Sequence, residues 1–126
     1  MRMSIYEFPN TYQLYVIVEL TTENEKTTLD NYLSNTSTLE KKLQNFMKSI
    51  DARYWKVAHG VAHFDKELPY TYIEFEVETN YTTYRIELLP SSITLVTNST
   101  PHEAVKVLEQ LLEHVLNIEF TSAKSQ

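Results

Sequence analysis

His59 and His63 are the side chains whose types and spacing first invite chemistry. On a helix, histidines four positions apart share a face and chelate a metal ion. The chain from Arg53 onward reads as a strand, and there the same spacing separates them by about 13 Å, too far to share one ion. No metal is expected. Each histidine is read as a hydrogen-bonded group of a core or a cavity wall. Glu74, Glu76 and Glu78 line one face of a second strand. Paired carboxylates do acid–base work only where their surroundings split their pKa values. These alternate with Ile73, Phe75 and Val77, so they are expected to face water. His102 and His114 fall on the polar side of a final helix. No catalytic residue and no cofactor is assigned.

What is scarce narrows the chemistry further. Gly60 is the only glycine, which removes the Gly-rich phosphate loops of nucleotide-binding folds. The chain has no cysteine, so disulfides, thiolate catalysis and cysteine-held metals are excluded. The net charge of −6, with no basic cluster, disfavours nucleic acid and anionic membrane surfaces as partners. No apolar run approaches the roughly 20 residues of a membrane span, so no integral membrane association is expected. The first residues, Met1 to Pro9, contain an acid and no apolar core of signal-peptide length, and the cytoplasm is the expected location. With 126 residues and 42% apolar content, one domain with its own core is expected over residues 1–120. Residues 121–126 have little to bury and read as a frayed tail.

The elements that must position these side chains follow from periodicity. Tyr12, Leu14, Val16, Val18 and Leu20 alternate with Gln13, Tyr15, Ile17 and Glu19, the pattern of a strand. A short helix is predicted over Glu25 to Leu33 and is interrupted at Ser34-Asn35-Thr36-Ser37. A second begins at a Ser37–Glu40 capping box, with Leu39, Leu43, Phe46, Met47 and Ile50 on one face. Strands return from Arg53, where Gly60 is a candidate bulge, and continue through Thr71–Val77, Tyr84–Leu88 and Ile93–Thr97. That makes five antiparallel strands, with Met3–Phe8 as a candidate sixth. The last helix is capped by Thr100, with Pro101 at its first position and Glu103 closing a capping box. Its apolar residues, from Ala104 to Ile118, cover about half its circumference. A stripe so broad is expected to be covered on more than one side.

This order resembles the helix-grip fold of the START/SRPBCC superfamily, and in particular a small archaeal branch of it. Scarce glycine, absent cysteine and abundant Tyr and Glu fit a thermophile. The matching features are Tyr12–Leu20, the bent helical pair ending in Leu39–Ile50, the strand series Arg53–Thr97 and the helix Pro101–Ile118. The resemblance implies an α+β fold in which a curved antiparallel sheet wraps a long C-terminal helix, with two short helices after the first strand. It further implies a cavity between sheet and helix for a small hydrophobic, lipid-like or aromatic ligand. Its lining is expected from Val16, Val18, Trp55, Val57, His59, Ile73, Phe75, Tyr84, Ile86, Leu108, Leu111, Leu112 and Val115. If inward, Tyr12 and Tyr84 would give it polar handles.

The expected function is therefore non-catalytic binding or carrying of such a ligand. Two other readings stay open at this point. One is an enzyme of the same fold, a cyclase or hydratase using His59, His63 or a buried tyrosine. The other is an acidic protein-binding module, such as an immunity protein or chaperone, acting through the outer sheet face. Tyr6, Tyr70 and Tyr72, if they lie outside, favour a homodimer.

Overall fold

The computed structural model describes residues 1–8, 10–62, 70–80 and 82–117. At residues 36, 54–55, 57–62 and 70–71 it describes the backbone alone. The fold is α+β. Among the described residues six strands form one sheet in the order β1-β2-β6-β5-β4-β3, every pair antiparallel. In chain order these are β1 (Arg2–Phe8), β2 (Gln13–Glu19), β3 (Tyr54–Ala62), β4 (Tyr70–Glu78), β5 (Thr83–Leu89) and β6 (Ser92–Thr97). Two helices, α1 (Glu23–Ser34) and α2 (Thr36–Ser49), separate β2 from β3, and α3 (Pro101–Leu111) follows β6.

Alternation decides which face of the sheet is buried. Leu14, Val16 and Val18 of β2, Ile73, Phe75 and Val77 of β4, Tyr84, Ile86 and Leu88 of β5, and Ile93 and Leu95 of β6 all share the inner face. All three helices press onto that face. Leu29 and Leu33 of α1, Leu39, Leu43, Phe46 and Met47 of α2, and Ala104, Val107, Leu108 and Leu111 of α3 complete one continuous core. Phe46 meets Phe75 edge to face at 6.2 Å between ring centroids. Each such side chain taken from water contributes about 1.5–3 kcal/mol before ordering costs.

The candidate strand at Met3–Phe8 forms, as β1, and is the sixth of the sheet. Other sequence expectations are corrected. Tyr12 is not on the inner face of β2. It sits in the β1–β2 turn with a φ of 54° and is 83% exposed, so it cannot serve as an inward polar handle. The Ser37–Glu40 capping box does not form. α2 already begins at Thr36, and the Ser37 hydroxyl bonds the Asn35 side chain instead. The reciprocal box sits one helix earlier. The Thr22 hydroxyl accepts from the Glu25 N–H at 3.2 Å, while a Glu25 carboxylate oxygen accepts from the Thr22 N–H at 3.1 Å. α1 runs to Ser34 and α2 starts at Thr36 with Asn35 as its cap, so Ser37 falls inside α2. Gly60 makes no bulge, since β3 and β4 pair residue for residue from Tyr54↔Glu78 to Ala62↔Tyr70.

The last helix keeps its predicted start. The Thr100 hydroxyl accepts from the Glu103 N–H at 3.2 Å, and Pro101 opens α3. It does not run on as a uniform α-helix. After Leu111 it widens into a π-helical turn, Leu112–Leu116, which Asn117 closes in a left-handed conformation with a φ of 53°. Asparagine tolerates that conformation better than most residues. The extra residue keeps Leu112, Val115 and Leu116 all buried against α2. Ile118 and the tail at 121–126 lie outside the described residues, as does His63.

Candidate functional site

Where α2 ends, the β4–β5 turn and the first turns of α3 enclose an open groove of about 600 Å³. Each wall has a local cause. Beyond α2, Asp51 takes a left-handed conformation, with a φ of 54°. This turns the chain so that the Ala52 N–H reaches the Met47 carbonyl at 3.0 Å. Ser49, Ile50 and Asp51 thereby face the groove. The opposite wall is the β4–β5 turn. The Thr79 N–H donates to the Thr82 carbonyl at 2.9 Å, and the Thr82 N–H to the Thr79 hydroxyl at 3.3 Å. Glu103, Lys106, Val107 and Gln110 of α3 recur at helical spacing and form the third side, with Glu109 at its flank.

Tyr84 and Val107 link this groove to the core. Tyr84 opens the inner face of β5 and is only 4% exposed, yet it lines the groove. Val107 is 7% exposed and belongs both to the core and to the groove wall. The rim is polar. The Lys106 ammonium lies 4.0 Å from the Glu103 carboxylate, and Asp51 and Glu109 add two more acids. An apolar floor under a polar rim can hold an amphipathic molecule by its apolar part.

The thirteen sequence-predicted lining residues fall into three groups. Tyr84 lies in the groove wall. Val16, Val18, Ile73, Phe75, Ile86, Leu108, Leu111, Leu112 and Val115 are buried together in the core and do not line the groove. Trp55, Val57 and His59 lie on β3, opposite Val77, Phe75 and Ile73, and their side chains are outside the described residues. Ile50, Asp51, Asn80 and Val107 line the groove but lie outside the predicted set. Val107 borders the apolar stripe of α3 and so carries a weak signal in the sequence. The others come from turns, whose position in space no local pattern gives.

The remaining candidates for chemistry lie apart from the groove. Glu76 and Glu78 are exposed on the outer face, and Glu74 is half-buried, 3.8 Å from the Arg85 guanidinium. His102 is exposed and His114 half-buried on the last helix. Among the described residues no group of three His, Asp or Glu side chains could hold a metal ion. No described helix is long and apolar enough to cross a membrane. No protein-family model matches the chain, and neither a curated protein nor a solved structure does so.

Proposed function

We propose that this chain binds a small hydrophobic molecule, without transforming it, in the groove over Tyr84 and Val107. The observation that carries the reading is the groove itself. Its volume of about 600 Å³ falls within the range of small-molecule sites, and two of its lining residues belong to the core. The order of the elements supports a helix-grip reading of the fold. The first strand after the β1 hairpin, β2, pairs with the last, β6; two helices follow β2; and the closing helix lies on the inner face. The ligand would gain roughly 25 cal/mol for each Å² of apolar surface it hides, less the cost of ordering.

An uncharged, environment-sensitive apolar dye tests this directly. Wild-type protein should bind it with enhanced fluorescence. Gln110→Trp, from a half-buried position in the groove wall, should fill the groove and weaken binding at least tenfold while leaving the melting temperature within a few degrees. No binding by the wild type, or full binding by Gln110→Trp, would show that the groove takes no such ligand.

A further inference from the structure

β1 is an edge strand. Among the described residues its one neighbour in the sheet is β2, and no other described strand lies against the backbone N–H and C=O groups of the far side of Arg2–Phe8. Edges are usually blunted by charged side chains, proline or a bulge. β1 pairs with β2 without a bulge from Arg2↔Glu19 to Phe8↔Gln13, and its charges, Arg2 and Glu7, lie near its ends and leave Met3 to Tyr6 uncharged. The same strand carries Ile5, Tyr6 and Phe8, which are 43%, 49% and 46% exposed. Tyr12, in the adjoining turn, is the other large apolar side chain left exposed among the described residues. Single exposed apolar residues are ordinary, but a cluster along a free edge marks an interface.

We propose that β1 is a homodimer interface, in which β1 of one copy pairs antiparallel with β1 of a second about a two-fold axis through Ile5. The seven residues of the strand then match in full. Arg2 lies opposite Phe8 of the second copy, Met3 opposite Glu7, Ser4 opposite Tyr6, and Ile5 opposite Ile5. Even-numbered residues, on the outer face, meet even-numbered residues, so both inner faces stay on one side.

Charge is what selects a second copy as the occupant. The Glu19 carboxylate of β2 holds Arg2, Glu7 is the one other charge on β1, and in this register no like charges lie directly opposite one another. Arg2 faces an aromatic ring, a favourable pairing for a guanidinium. Ile5, which the helices leave open, is buried by its own counterpart. The other edge, β3, carries Lys56 and runs beside Glu74, Glu76 and Glu78 of β4. In a chain of net charge −6 that flank brings carboxylates together when two copies approach, whereas the β1 flank does not.

The absence of cysteine makes the register measurable. Residues directly opposite in an antiparallel pair have Cα atoms about 4.5–5.5 Å apart, within disulfide reach. Under mild oxidation Ile5→Cys should give mostly covalent dimer. Ser4→Cys and Tyr6→Cys, each opposite a different residue, should give several-fold less. Sedimentation of the wild type should return twice the chain mass. Ile5→Lys should lower the association constant at least tenfold while its circular-dichroism spectrum stays unchanged. A wild type that sediments as a monomer at high micromolar concentration would overturn the proposal. So would a dimer cross-linked through Lys56→Cys at the opposite edge and not through Ile5→Cys.

Discussion

The two flanks of the sheet obey the same alternation but are finished differently. On the β4–β5 flank the inner face is sealed by the helices and the outer face is charged. Phe75 is 1% exposed beneath Phe46, while Glu74, Glu76, Glu78, Arg85 and Glu87 lie on the far side. On the β1–β2 flank the helix layer stops short. Ile5 stays open on the inner face, and the outer face carries Tyr6, Phe8, Tyr15 and Ile17, with one acid, Glu19, ion-paired to Arg2 at its end. Phe8 and Tyr15 stack edge to face at 5.2 Å there, and Val96 of β6, opposite Tyr15, is buried although it points outward. The flank closed by helices leaves no large apolar side chain exposed among the described residues, whereas the other leaves Ile5 open on one face and Tyr6 and Phe8 on the other.

Large-to-small substitutions on the inner face should expose this contrast most strongly. Phe75→Ala should cost about 3–5 kcal/mol, the usual range for a buried aromatic. Ile5→Ala should cost the isolated chain under about 1 kcal/mol, as expected of a partly exposed site. Denaturant unfolding at low protein concentration measures both. Equal costs would mean that the two flanks are equally packed.

Overpacking should give the next largest effect. Leu111→Trp and Leu112→Phe force added volume into a layer of fully buried side chains and should destabilise by about 1–3 kcal/mol. Gln110→Trp, at the half-buried groove wall, should change the melting temperature much less. If Leu111→Trp melts like the wild type, the helix–sheet layer has room for added volume, and a ligand could occupy it.

The smallest effect concerns how the β1 flank is tied to α1. The Met1 ammonium donates to the Thr21 hydroxyl at 2.6 Å and lies 3.8 Å from the Glu25 carboxylate. Burial by itself would raise the Glu25 pKa. Hydrogen bonds from the Thr22 hydroxyl and N–H, together with that ammonium, outweigh it and hold the carboxyl below its ordinary value. The folded pKa is thus the lower one. The carboxylate contributes stability that is present above the unfolded value and is lost as pH falls through the folded one. Glu25→Gln should flatten the acid limb of a stability–pH curve, and an unchanged limb would remove Glu25 from the account. Thr22→Ala, which removes the cap, should cost about 1 kcal/mol at neutral pH.

Much of this is legible in the residues. Thr100-Pro101 announces the start of α3, and the alternation of β4 alone assigns Phe75 inward and Glu76 outward. Where local signals compete, they mislead. Thr22–Glu25 and Ser37–Glu40 both match the capping-box pattern, but α1 runs to Ser34 and α2 starts at Thr36, so Ser37 falls inside its helix. Tyr12 continues the apolar parity of β2, but the hairpin turn claims it first. The groove is almost illegible, because Ile50, Asp51 and Asn80 are neighbours only after separate turns converge.

The sequence by itself determined the class of the fold and the face that each well-alternating strand buries. These follow from side-chain periods and from residue types, which act over a few positions. Only the tertiary structure decided that β2 pairs with both β1 and β6, that α3 yields to a π turn beneath α2, and that Tyr84 stands at the boundary of core and groove. Those outcomes depend on contacts between residues distant in the chain, where loop closure and packing weigh more than any local preference.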